Sequence, residues 1–389
     1  MSKTLLFVYP TPFNPQVGGV ERVTDLLTKQ LIIRGYNVLY LHHVQKDSLM
    51  DYGYPAPIHF FPSSDYHSQE NVAFYHNFLK EHHVDIIINQ CGLFEDSTLY
   101  LNIGDNKCKR ISVLHSNPML NYKHLSFEEL VLKDNSFIGF IKLVVRFCLY
   151  PKIKLSYIRC RRKHYDFLFQ NSDKICLLSK SHIGDFEKYY RLYDKEKVVS
   201  ISNPNSFDIQ ECEKKNQLLY VGRLEQGEKR PDRLLKIWRK LYKKFPDWEM
   251  VIVGDGKERL RLEKMAKNLD RISFVGFQSP EQYYRDASIF CLTSNFEGWG
   301  MVLTEAMAFG TIPFAFASYS AVHDIIKEGE TGYLVEPFSI AEYVDKLSLL
   351  MSDKEKRIQM SYNCMRDVVR FSLDSIIGQW ENLFRSLIK

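Results

Sequence analysis

The sequence predicts an α/β protein of two domains, each a parallel sheet covered by helices. Short apolar runs alternate with longer stretches of helical periodicity, the pattern of β-α-β units. That alternation starts afresh after a polar stretch at residues 208–217. At 389 residues the chain is also too long for one typical core and fits two domains of ordinary size.

The first apolar run, residues 5–9, ends at Pro10. It is too short for a signal peptide and reads as the first strand. Residues 20–34 follow as a helix, with Val23, Leu26, Leu27 and Leu31 at helical spacing. Residues 37–42 are the second strand, and 85–89 form a buried strand around three consecutive isoleucines. Further strands are expected at 110–115, 174–178 and 197–202, the last closing the first sheet. Asn203-Pro204-Asn205 and the polar run after it form the linker, so the domains are placed at 1–205 and 206–371. In the second domain, strands are expected at 217–221, 249–253, 272–275, 289–293 and 312–315. Helices are expected at 232–243, 258–267, from 301 on with 305–309 inside it, 340–350, 353–370 and 372–389. The last carries Leu373, Ile376, Ile377, Trp380, Leu383, Phe384 and Leu387. No segment offers the roughly 20 uninterrupted apolar residues of a spanning helix.

Composition removes several function classes. A hydrophobic share of 45% and a charged share of 25% are those of a soluble globular protein. A net charge of +5 is too modest for a nucleic-acid binder. The eight cysteines form no C-x-x-C pair and no Cys/His cluster of zinc spacing. Cys176 and Cys291 lie in apolar runs, and reduced thiols in the cytoplasm are the simplest account. His42-His43 and His82-His83 are neighbours in sequence and point in different directions, so no metal site is expected. No G-x-G-x-x-G follows the first strand, which argues against an NAD-dependent enzyme.

The most informative stretch runs from Ser294 to Ala308. It sets Glu297 and Glu305 eight positions apart around a Gly298-Trp299-Gly300 turn. The glycines let backbone amides approach a ligand. Met301 and Val302 open a helix whose free N–H groups favour an anion such as a phosphate. A carboxylate beside a phosphate site repels the phosphate and needs another purpose, most simply accepting hydrogen bonds from sugar hydroxyls. A nucleotide-sugar supplies both a diphosphate and hydroxyls.

Other pieces lie at strand ends. Gly222-Arg223-Leu224 ends one strand and Lys229 follows; two cations at the C-terminal end of a strand suit a diphosphate. Taken alone, such a pair is usually just solvated. Gly18-Gly19-Val20-Glu21 opens a helix, where close backbone approach and the helix start again favour phosphate. Alone, that is equally a plain turn. Val253-Gly254-Asp255-Gly256 either approaches a ligand or only shapes its loop. His115 lies where a strand ends, a place where a lone histidine is more often structural.

The segment from Ser294 to Ala308 resembles the E-x7-E motif of the retaining glycosyltransferases of family 4, which have the two-domain GT-B fold and include many enzymes of bacterial polysaccharide and lipid-linked glycan synthesis. The resemblance covers nearly the whole chain and is sharp at 219–337, where Ala306-Met307-Ala308-Phe309-Gly310 and Gly332-Tyr333-Leu334-Val335-Glu336-Pro337 also look like family elements. It implies two Rossmann-like domains with a cleft between them and a terminal helix, 372–389, crossing back onto the first. It implies that Arg223 and Lys229 hold the donor diphosphate and that Glu305 holds ribose hydroxyls. Glu297 and the backbone of Trp299, Gly300, Met301 and Val302 would hold the transferred sugar and phosphate. Gly18 and Gly19 would face the donor, Phe277 would meet the base, and His115 would position the sugar. The implied reaction moves a sugar from a nucleotide diphosphate, UDP in preference to GDP, to a growing glycan with retention of configuration. It needs no metal and no cofactor, because the nucleotide-sugar is a co-substrate. The alternative is a non-catalytic nucleotide-sugar-binding subunit that activates a partner enzyme; the retained acids and cations argue against it. A phosphorylase would need a pyridoxal lysine setting that the sequence does not offer.

Residues 139–165 contain no acid and eight Lys or Arg residues, after an apolar start at Phe137 and Ile138. Such a segment can lie in a lipid interface with cations over anionic headgroups, each worth about 1 kcal/mol. It can equally be a helix packed on the first sheet with a solvated basic face. The resemblance favours the membrane, since many relatives act on lipid-linked acceptors. The expected location is therefore cytoplasmic, peripheral on the inner membrane.

Overall fold

The computed structural model describes residues 2–16, 18–44, 52–92, 96–118, 137–190 and 194–388; the side chains at 137–148, 153, 154, 188 and 189 lie outside that description. The chain divides into two units: Met1–Leu177 with His182–Ser200 and Leu383–Lys389, and Leu178–Ser181 with Ile201–Asn382.

Among the described residues the first unit holds a seven-stranded sheet of β1 (Thr4–Tyr9), β2 (Asn37–His42), β3 (Ile58–Phe60), β4 (Ile86–Asn89), β5 (Lys109–Leu114), β6 (Lys174–Leu177) and β7 (Val198–Ser200). Their order is β3-β2-β1-β4-β5-β6-β7 and every pairing is parallel. A parallel strand is covered on both faces, so it is apolar throughout rather than alternating. That is why all of β4 is buried, as is β1 up to Val8. Strand order reverses between β1 and β4, and in such sheets ligands collect outside the carboxyl ends of the strands at that reversal. Gly18, Gln90 and His115 all follow the carboxyl ends of strands there.

The second unit repeats the plan with six parallel strands: β8 (Lys215–Val221), β9 (Glu249–Val253), β10 (Ile272–Gly276), β11 (Ala287–Leu292), β12 (Ile312–Phe316) and β13 (Tyr333–Val335). Their order, β10-β9-β8-β11-β12-β13, reverses between β8 and β11. The loops leaving β8 and β11 carry Arg223, Lys229 and Glu297. The final helix, Leu373–Leu387, begins in the second unit and ends in the first, where Phe384 packs edge-on against Tyr36 at 5.8 Å.

The acid-free segment belongs to one helix of 35 residues, Phe137–Asn171, that runs through Pro151. Its last turns are anchored: Tyr165, Leu168 and Phe169 are buried with Phe186 and Tyr190. Lys152, Leu155, Arg159, Arg162 and Lys163 are exposed, and Arg161 bonds Tyr157 Oη through its Nη2 at 2.6 Å. Phe137, Phe140, Ile141 and Val144, the apolar part of the segment, lie outside the described side chains. Among the described residues no helix is long and apolar enough to cross a membrane.

Candidate functional site

The loop after β8 is shaped by close backbone contact. Gly222 N–H donates to the Val253 carbonyl at 3.0 Å and Leu224 N–H to the Asp255 carbonyl at 2.8 Å. A Cβ on Gly254, whose φ is +135°, would lie 2.0 Å from the Gly222 carbonyl oxygen. The glycines of Val253-Gly254-Asp255-Gly256 therefore let one strand-end loop seat against another. That loop presents Arg223, 66% exposed, whose Nη2 meets Glu228 at 2.8 Å and Glu225 at 3.3 Å.

The same loop is pinned to the one that leaves β11. Asn295 N–H donates to the Glu228 carbonyl at 2.7 Å, Asn295 Nδ2 to the Gly227 carbonyl at 2.7 Å, and Thr293 Oγ1 to the Arg230 carbonyl at 2.9 Å. Arg233 Nη1 holds the Thr293 carbonyl at 3.1 Å while its guanidinium lies 4.0 Å over the Phe338 ring. These bonds deliver Lys229 to Glu297, which also accepts from Ser294 Oγ at 2.8 Å. Glu228 sits beside this pair. Burial pushes its carboxyl pKa up; Lys229 opposes that shift and Glu297 adds to it.

Gly300, at φ +95°, caps the helix Met301–Ala308. A Cβ there would lie 2.6 Å from Tyr319 Oη, so only glycine lets the turn pass over the tyrosine. Trp299 packs edge-on against Phe371 at 5.2 Å. Its Nε1 and Tyr319 Oη are buried and have no hydrogen-bond partner among the described residues. A buried unpaired donor costs about 1–3 kcal/mol, and both lie at the turn where the sequence predicts sugar and phosphate. Glu305 is 1% exposed and accepts from Tyr284 Oη at 3.1 Å. Phe277, beyond β10, is 78% exposed, a free ring face rather than a pocket wall.

In the first unit, Gly18 is extended backbone and caps the helix Gly19–Ile33. Its side-chain position is taken: a Cβ would meet Glu21 Oε2 at 2.7 Å. Burial raises the Glu21 pKa. His115 Nε2 bonds Gln90 Oε1; Gln90 Nε2 bonds Thr24 Oγ1 at 3.1 Å, which bonds the Val20 carbonyl at 2.8 Å. Burial lowers the His115 pKa to about 4, so the ring is neutral near pH 7, although part of it still meets solvent.

Arg223, Lys229, Glu297, Trp299, Gly300, Met301, Val302 and Glu305 thus gather at two adjoining strand ends of the second unit. Gly18, Gly19 and His115 gather at the matching place in the first. Sequence reasoning passed over Ser294, Glu228, Tyr319, Gln90 and Thr24. Only Gln90 carried a local signal, a polar residue directly after a buried parallel strand. Among the described residues no three His, Cys, Asp or Glu side chains group so as to hold a metal ion.

Comparison with known proteins bears on this arrangement. The family model described as glycosyl transferases group 1 matches residues 202–366. The chain is 31% identical, over 67% of its own length and 77% of the other's, to an uncharacterized glycosyltransferase of Haemophilus influenzae. It is 28% identical to the GalNAc-alpha-(1->4)-GalNAc-alpha-(1->3)-diNAcBac-PP-undecaprenol alpha-1,4-N-acetyl-D-galactosaminyltransferase of Campylobacter jejuni, over 64% of this chain and 74% of that one. The crystal structure of Anabaena HepE in complex with UDP is similar with a TM-score of 0.75 at 17% identity, covering 99% of this chain and 100% of that one. At that identity the likeness is one of fold.

Proposed function

The chain belongs to the group 1 glycosyl transferases and has the GT-B fold, and from that premise we propose that it moves a sugar from a UDP-sugar to a growing, lipid-linked glycan with retention of configuration. The observation that carries the donor half is the cluster of Arg223, Lys229 and Glu297 at the strand-order reversal of the second sheet.

In this reading the bond between the anomeric carbon and the β-phosphate oxygen breaks and its electron pair leaves with the diphosphate. Arg223, Lys229 and the first N–H groups of the helix at Met301 meet that growing charge and stabilise the transition state more than the ground state. The acceptor hydroxyl attacks from the face the diphosphate leaves, and its proton passes to a phosphate oxygen. Glu297 and the turn at Trp299 hold the sugar. Glu305 holds the ribose hydroxyls; a carboxylate has about four acceptor positions, so its bond from Tyr284 is compatible with a ribose diol. Gly18, Gly19 and His115 contact the donor from the first unit, and Phe277 offers a ring face to the base. The cations take the electrostatic task a metal would have.

Support for a lipid-linked acceptor comes from the exposed cations of the helix Phe137–Asn171 and from the Campylobacter relative, whose name specifies an undecaprenol-linked glycan. The reading puts the protein on the cytoplasmic face of the inner membrane. The test is hydrolysis of a panel of UDP- and GDP-sugars by purified protein, with and without excess EDTA. Turnover of a UDP-sugar that survives EDTA is expected. Turnover of none sinks the catalytic reading, and loss in EDTA restored by manganese or magnesium sinks metal independence.

A further inference from the structure

The polar chain behind His115 decides which ring nitrogen carries the proton. Its far end is the Val20 carbonyl, which can only accept. Thr24 Oγ1, 2.8 Å away, must therefore give it its one proton. The hydroxyl is left to accept from Gln90 at 3.1 Å, so the amide nitrogen of Gln90 faces Thr24 and its oxygen faces His115. Amide orientation is ordinarily an open choice between O and N; here a helix carbonyl makes it. An amide oxygen has no proton to offer, so His115 Nε2 donates. A neutral ring protonated at Nε2 leaves Nδ1 as a bare acceptor. Among the described residues Nδ1 has no hydrogen-bond partner, while Gln90 and Thr24 are buried.

We propose that Gln90, oriented by Thr24, is a positioning residue that locks His115 in its Nε2–H tautomer, so that Nδ1 accepts a hydrogen bond from a hydroxyl of the transferred sugar. This rests on the reading of His115 as a sugar contact. It adds a direction to that contact: the sugar group opposite must be a donor, which an ether oxygen or a fluorine cannot be. The helix opened by Gly18 and Gly19 thereby sets the chemistry of a side chain two strands away.

Long-range proton–nitrogen spectra of histidine-labelled protein test this without a ligand, His115→Gln identifying the signal. At pH 7 the wild-type ring should be neutral with its proton on Nε2. Thr24→Val removes the group that orients the amide, so Gln90 can turn and the spectrum should shift toward the Nδ1–H form. Gln90→Glu should keep the Nε2 proton and make the ring titrate at higher pH, because a carboxylate favours the charged imidazole. With the nucleotide-sugar that the panel identifies, Thr24→Val should lower turnover roughly three- to tenfold, the scale of one hydrogen bond, with UDP affinity unchanged. An Nδ1–H ring in the wild type, or one tautomer unchanged in both Thr24→Val and Gln90→Leu, overturns the lock even if turnover depends on His115. Full turnover in His115→Ala overturns the sugar contact, whatever the spectra say.

Discussion

Lys229 Nζ lies 2.7 and 2.6 Å from the two carboxylate oxygens of Glu297, joining the loop after β8 to the loop after β11 by one ion pair. The two side chains are only 17% and 8% exposed. The pair answers a difficulty raised by the sequence, a carboxylate beside a phosphate site. Lys229 cancels that charge. An ammonium has three protons, so two on Glu297 leave one for a ligand oxygen.

The pairing separates two cations that look alike in sequence. Arg223→Ala and Lys229→Ala should each cut donor turnover by about 10²-fold or more, the scale of one lost transition-state donor. Only Lys229→Ala should also destabilise the fold. Removing one partner of a fully buried pair costs about 3–5 kcal/mol; this pair keeps some solvent contact, so about 2 kcal/mol is expected. Thermal melts and turnover of the two variants check this. Equal melting of Lys229→Ala and wild type would remove the pair's role as a brace, and undiminished turnover in a folded Arg223→Ala would remove its diphosphate contact.

The two glutamates should divide by ligand part. Glu305→Gln should weaken binding of free UDP, measured by calorimetry, because it removes the charge opposite the ribose. Glu297→Gln should damage turnover and leave UDP binding nearly intact. If both weaken UDP equally, the division of roles is wrong.

The parts legible in the sequence were those with local causes. β9 has the bounds expected of it, Glu249–Val253, because the buried apolar run 250–253 behind Glu249 sets them. The glycine-capped helix at Met301 follows from Gly300 and the run behind it. The helix Gln69–Glu81 was missed although Ser68 Oγ caps it by accepting from Glu70 N–H at 3.2 Å; its apolar face is interrupted by polar residues. β3 and β13, three residues each, are too short to carry a period, and both lie at sheet edges. The helix Phe137–Asn171 continues through Pro151, where propensity would end it. Motif spacing singles out the candidate site residues. It does not single out their partners, because Lys229 and Glu297, or His115 and Gln90, meet only once the sheets have formed.

Acid should weaken the fold in a defined window. His42 and His43 are buried, and burial lowers both pKa values to about 4, as it does for His115. In the unfolded chain a histidine takes its proton near pH 6.5, whereas the folded rings wait until about pH 4. Between these values the unfolded state binds more protons, so stability rises with pH and is lost as pH falls from about 6.5 to about 4. For His42 alone the difference is about 3 kcal/mol. Melting temperatures at pH 7, 5.5 and 4.5 should fall in that order, and His42→Gln should flatten the slope. A profile flat from pH 7 to pH 4.5 would contradict the buried neutral rings.

The exposed cations of the helix Phe137–Asn171 should attach it to charged lipid. Lys152, Arg159, Arg162 and Lys163 face solvent together with Leu149 and Leu155, while the last turns are held by Tyr165, Leu168 and Phe169. A basic face with apolar side chains among the cations suits an anionic surface, each cation adding about 1 kcal/mol. Binding to anionic vesicles and not to neutral ones is therefore expected. Salt should weaken it, because exposed charges are screened beyond about 10 Å at 0.1 M. Serine at Arg159, Arg161, Arg162 and Lys163 should remove much of the binding and spare donor hydrolysis, since Arg223, Lys229 and Glu297 belong to the other unit. Flotation with vesicles of either composition, at low and high salt, measures this. Equal binding to both compositions, or none to either, would leave these cations as a solvated face and would point to a soluble acceptor.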